Sequence, residues 1–177
     1  MAAVEKPEYM DQALRRITVF MHLFGIIMSA GLMACSGDFI SLWIGKDFRL
    51  PGPVVLVCCV NTYLAIVKEP LWQTMDACGM FHYEKTLAIA GTGINLAVSI
   101  ILGMKTGMLG IFIGTAVSTL FEIAGKTYGI YHKKLRLPAW EFVCECWEMA
   151  FSECFALAAA YFLVGLTFVN SFMDFFI

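Results

Sequence analysis

Apolar positions along this chain neither alternate with polar ones nor form a single stripe. They come as long runs, at about 18–40, 53–78, 86–104, 108–128 and 154–173. A helix needs about 20 mostly apolar residues to cross some 30 Å of hydrocarbon, and each run is close to that length. In lipid every backbone polar group must be paired within its own segment or in a closed barrel. Strict two-residue alternation, the mark of a barrel strand, is missing, so the runs predict helices. The predicted fold class is all-α: a polytopic membrane helix bundle of about five transmembrane helices, forming one lobe over residues 1–177.

Polar residues fall between the runs. The links "GKDFRLPG" and "KTG" follow the first and third runs, and longer polar loops lie on the opposite side. The stretch "NLAVSIILGMKTGMLGIFIGTA", residues 95–116, carries a single charge, Lys105, and glycines at 103, 107, 110 and 114. It reads as two helices joined by a very short turn. Residues 139–153 are amphipathic: Trp140, Val143, Trp147, Ala150 and Phe151 share one helical face, while Glu141, Glu145, Glu148 and Ser152 share the other. This spacing predicts a helix in the headgroup plane. Its acidic polar face leaves two alternatives, docking on protein or an early start to the fifth span.

Composition strengthens the membrane reading: 60% of residues are hydrophobic, 15% are charged, and mean hydropathy is +0.77. The net charge of −2 says less than the distribution of Lys and Arg. Lys6, Arg15, Arg16, Lys68, Lys85, Lys126, Lys133, Lys134 and Arg136 fall on one side, and Lys46, Arg49 and Lys105 on the other. The amino terminus is therefore expected in the cytoplasm and the carboxyl terminus outside. The start, "MAAVEKPEYMDQALRR", is polar and mixed in charge rather than a secretory signal, so insertion is expected through the first span itself. Seven cysteines, an odd number, lie mostly within spans or on the cytosolic side, and read as small apolar filler rather than disulfide partners.

Polar groups within the spans are costly when unpaired, so each is either a packing contact or part of a site. In the second span Asn61, Ala65, Lys68 and Trp72 fall on one stripe, and Pro70 predicts a kink or break. Counted from Pro53, Lys68 lies about 22 Å deep, placed either to line a wet cavity or to snorkel to the interface. In the third span Ala88, Gly91, Thr92, Asn95 and Ser99 make a small, polar face suited to close packing or to a cavity wall. In the fourth, Gly110, Gly114, Ser118, Glu122 and Lys126 succeed one another every four residues. Glu122 is expected either to pair with Lys126 on the same helix or to titrate as a coupling acid. His22 is read as a packing histidine.

Nothing supports an enzyme. His22, His82 and His132 have no carboxylate or cysteine at ligand spacing, and Cys144-x-Cys146 has no second pair, so no metal or cofactor is expected. No phosphate-cradling loop or nucleic-acid surface is present in the pattern.

Three stretches together carry a resemblance: "GDFISLWIGKDF" (37–48), "LWQTMDACGMFHYEK" (71–85) and "INLAVSIILGMKTGMLGIFIGTAVSTLFE" (94–122). In order and spacing they resemble the carboxyl-terminal half of the Wzx-type oligosaccharide flippases, within the superfamily that also holds the MATE exporters. The features that match are the aromatic element Trp43 to Phe48, the span ending Ala77 to Lys85, Asn95, and the turn Gly107 to Gly114.

The resemblance implies two facing lobes around a cationic cavity that rock between inward and outward openings. It also implies translocation of undecaprenyl-pyrophosphate-linked oligosaccharide for O-antigen, capsule or exopolysaccharide assembly, across a bacterial inner membrane. On that basis Asn61, Lys68, Trp72 and Asn95 are the expected substrate contacts and Glu122 the candidate coupling group. The expected partners are lipid-linked oligosaccharide, membrane lipid, and an amino-terminal lobe that this chain lacks or a second chain that replaces it; the chain is expected to be a fragment or a half. A cation-coupled multidrug exporter and an accessory membrane subunit without a transport path are the alternatives.

Overall fold

The computed structural model describes residues 7–174, with side chains described through Phe162. Among the described residues every regular element is helical. The first helix, α1, spans Pro7–Trp43, and a 3-10 turn at Lys46–Phe48 leads to α2, Gly52–Ala77. Then come α3, Phe81–Thr106, and α4, Met108–Tyr128, which continues as a π-helical turn, Gly129–Leu135. The last helix, α5, spans Trp140–Asp174. Four helical segments among the described residues are long and apolar enough to cross a membrane: α1, α2, α3, and α4 with its π turn.

The helices pack side by side in the order α3, α4, α2, α1, α5. Their outer faces are apolar and bare: Phe20, Ile27, Leu42, Ile89, Leu96 and Met104 are all exposed. Large exposed aliphatic surface is what a lipid solvent permits, because lipid tails are as apolar as the side chains. The best-packed core lies at one end, where Leu14, Leu71, Met75, Ile130, Tyr131, Leu135 and Phe142 meet. The Tyr131 hydroxyl donates to Asp11 Oδ1 there, at 2.5 Å.

Two sequence expectations change. Pro70 does not break α2: the helix runs unbroken from Gly52 to Ala77 with Pro70 buried inside it. The amphipathic segment 139–153 does not lie apart from the run at 154–173, since Trp140–Asp174 is one helix of 35 residues. Of the alternatives to a headgroup helix, docking on protein is the one the contacts show. The acidic face meets Arg15 of α1, whose guanidinium contacts Glu145 at 2.5 Å, Glu141 at 3.5 Å and Asp11 at 2.9 Å. One guanidinium thus bridges three carboxylates and ties the start of α5 to α1. Trp140, Trp147, Phe151 and Phe155 stay exposed on the other face. The run's residues from 163 onward lie outside the described side chains.

The α3–α4 hairpin turns on a single residue, Gly107, at φ 63 and ψ −136. A side chain there would meet the backbone in a region that glycine alone adopts readily. Gly107→Ala is expected to lower stability by about 1–2 kcal/mol, read as a drop in the thermal midpoint in detergent. No neighbouring atom lies within 4 Å of the added methyl, so the loss would report backbone strain alone.

Candidate functional site

The site grows out of the close approach of α3 and α4. Gly110 and Gly114 have no side chain to hold the helices apart. A Cβ on Gly110 would run into the Leu102 carbonyl and lie 2.6 Å from the Gly103 nitrogen. One on Gly114 would meet the Ser99 hydroxyl and lie 2.9 Å from its backbone nitrogen. Small residues at this spacing let two backbones touch. With the hairpin this tight, the polar side chains further along it are forced into contact.

Asn95 is the first. Its amide nitrogen lies 3.3 Å from Ser118 Oγ and 3.5 Å from Thr115 Oγ1, and Ser99 donates to its Oδ1 at 2.9 Å. One turn further along α3, Gly91 leaves room for the Glu122 carboxyl: a methyl there would sit 2.8 Å from Oε1. The other carboxylate oxygen, Oε2, accepts from Lys68 Nζ at 3.0 Å, a bridge from α4 to α2. Gly91, Thr92, Asn95, Leu96, Ser118 and Glu122 line a half-open hollow of about 250 Å³.

Glu122 and Lys126 do not pair with each other, contrary to the intrahelical alternative. Lys126 is 1% exposed and instead donates to Glu84 Oε1 at 2.9 Å. Lys68, likewise, is engaged by Glu122, with side-chain exposures of 26% and 17%. The physical reason is that two neighbouring helices supply partners at direct hydrogen-bonding distance, whereas an i,i+4 pair on one helix is worth only about 0.2–0.5 kcal/mol. A buried charge needs the stronger partner, because its desolvation must be offset.

Of the five residues singled out in the sequence, Asn95 and Glu122 line the hollow and Lys68 reaches its acid from behind. Asn61 does not line it. It sits at the α2–α4 seam, donating from Nδ2 to the Phe112 carbonyl at 3.0 Å, and its buried Oδ1 has no hydrogen-bond partner. Trp72 is exposed on α2, away from the hollow lining. Sequence reasoning missed Glu84 and the cradling role of Gly91. The only signal for Glu84 was an acid among basic neighbours at a span boundary. Gly91 was marked by its place on the small, polar face of the third span, but its partner was not, since what it makes room for lies on another helix.

Chemically, the hollow offers hydroxyl and amide groups beside a carboxylate whose charge is already balanced. It suits uncharged polar groups, such as sugar hydroxyls, that can both donate and accept. Among the described residues no group of three or more His, Cys, Asp and Glu gathers as a metal site. Fold and site together define a helical membrane protein with a small polar recess among its spans. Comparison with protein-family models, with characterised proteins and with solved structures finds no match to this chain.

Proposed function

We propose that this chain is one lobe of a membrane flippase that carries lipid-linked oligosaccharide, an undecaprenyl-pyrophosphate-linked repeat unit, across a bacterial inner membrane by alternating access with a companion lobe. The observation that carries the reading is the recess at Asn95, Ser118 and Glu122, which lies between two apolar helices and is open rather than sealed in a core. A helix pair that served packing alone would gain by closing such a hollow with apolar side chains, because polar groups at membrane depth are costly. Lys68, paired with Glu122, leaves the region without net negative charge to repel an anionic lipid headgroup. The order of the three resembling stretches supports the cargo, and the bias of basic residues supports a cytoplasmic amino terminus.

A second reading, an accessory subunit without a path, is favoured by a specific fact. Asn61, Asn95, Lys68 and Glu122 each already have a protein partner. Labelling separates the two. Asn61→Cys, Lys68→Cys and Asn95→Cys are introduced singly into a background with the native cysteines replaced, and the chain is assembled with an amino-terminal flippase lobe. In the flippase, Asn95→Cys and Lys68→Cys react with a membrane-impermeant thiol reagent, and lipid-linked oligosaccharide slows the reaction at least several-fold. Unreactive positions, or rates that the oligosaccharide leaves unchanged, would leave the accessory reading standing.

A further inference from the structure

The buried face of α1 carries three polar side chains between its apolar ends. Thr18, His22, Gly25, Ser29 and Met33 succeed one another at spacings of three and four and are all buried. His22 Nδ1 and the Tyr63 hydroxyl share a hydrogen bond of 2.6 Å. The Tyr63 ring closes over Gly25, where a Cβ would lie 2.9 Å from a ring carbon. One turn on, Ser29 meets Glu153 of α5 at 2.6 Å. Glu153 is 3% exposed, and none of the ion pairs among the described residues includes it.

The hydrogen count at Ser29 limits the chemistry, since only one hydroxyl hydrogen is present for three contacts. Its oxygen lies 2.8 Å from the Gly25 carbonyl, 3.1 Å from the Ile26 carbonyl and 2.6 Å from Glu153 Oε1. A hydroxyl has one hydrogen, and in a helix it habitually goes back to the carbonyl four residues earlier. The contact with Oε1 then needs a hydrogen from the carboxyl. The other carboxyl oxygen, Oε2, is buried without a partner. As the carbonyl of an acid it is tolerable there; as half of an ionised carboxylate it would be charged, dry and unpaired.

We propose that Glu153 is a proton-binding site: its carboxyl carries a proton in the packed state, donates it to Ser29, and on losing it to water loosens α5 from the α1–α2 pair. The groups that face it are Ser29 from α1 and Cys59 and Tyr63 from α2, with His22 bonded to Tyr63 beyond them. No permanent cation is among them. The seam it closes also holds Met33, Cys59 and Leu157, so its state bears on how tightly α5 is held. Because the fold keeps a proton that the unfolded chain would have given up, stability is present at low pH and is lost as pH rises. This inference does not rest on the flippase reading, and either can fail without the other.

The test uses the full chain in lipid nanodiscs, as wild type and as Glu153→Gln, which keeps a donor for Ser29 and cannot ionise. Cys59, fully buried in the seam, is labelled with a small methanethiosulfonate reagent. The ratio of the wild-type rate to the Glu153→Gln rate at each pH cancels the thiol's own titration. That ratio is expected to rise about tenfold or more between about pH 6 and pH 9. An infrared band of a protonated carboxylic acid is expected in wild type at neutral pH, absent in Glu153→Gln and shifted in Ser29→Ala. A flat ratio, or no such band, would overturn the proposal. So would a Glu153→Gln chain that does not fold, since its side chain has the shape and hydrogen of the acid form.

Discussion

Gly110→Val is expected to abolish accumulation of folded protein in the membrane. The added Cβ falls onto the Leu102 carbonyl and within 2.6 Å of the Gly103 nitrogen, and both are backbone atoms of the facing helix. A flexible side chain can swing aside; a helix backbone can yield only by moving the whole of α3. The hairpin would have to open along its length, which removes the contacts of Asn95 with Thr115 and Ser118. Loss of more than about 4 kcal/mol is expected, at the extreme end for one substitution. Gly31→Ala and Gly93→Ala are the controls. Each lies within a helix with nothing within 4 Å of the new methyl, and each should be neutral or slightly stabilising. Expression level and the thermal midpoint of the purified chain would read the difference, and a well-folded Gly110→Val would refute the backbone contact.

Lys68→Ala is expected to do the next largest damage, about 2–3 kcal/mol, by leaving Glu122 without its counterion. The figure lies below that for a fully buried pair because the two side chains keep exposures of 26% and 17%. Glu122→Gln alone should cost less, since the amide oxygen still accepts from Lys68 and Gly91 still leaves space for it. Lys68→Ala combined with Glu122→Gln should recover much of the loss, because neither charge then remains unpaired. A thermal-midpoint cycle over the four proteins measures the coupling; purely additive losses would mean that the ion pair carries no energy. On the flippase reading proposed above, Lys68→Ala in a strain without its own flippase should also lower surface polysaccharide beyond what its reduced abundance explains.

Much of this protein was legible one residue at a time. The helical hairpin at 95–116 follows from apolar run length, the lone Lys105 and the glycine at the turn, all local properties. The small-residue row Gly110, Gly114 and Ser118 announced a close helix contact by its spacing, and α3 supplies that contact. The charge partners were not legible. Glu122 had Lys126 four residues away, a favourable local pairing, yet it bonds to Lys68, 54 residues earlier in the chain. The acidic face of residues 139–153 was read from its periodicity, but its cation, Arg15, lies on α1, more than 120 residues away. Glu153 passed unnoticed for the same reason, since nothing near it in the chain hints at Ser29.

By itself, then, the order of residues determined that this is a chain of lipid-length helices, where their turns fall, and which faces can approach closely. Backbone hydrogen bonding in an apolar solvent is satisfied within each segment, so those features depend on local composition. Tertiary structure alone decided which charge meets which, that α5 runs continuously past its acidic start, and that Asn95, Glu122 and Lys68 converge while Asn61 and Trp72 stand apart. In a medium that solvates no ion, a charged group takes the best counterion that packing brings within reach. Packing is a property of helix pairs, and no spacing along one helix encodes it.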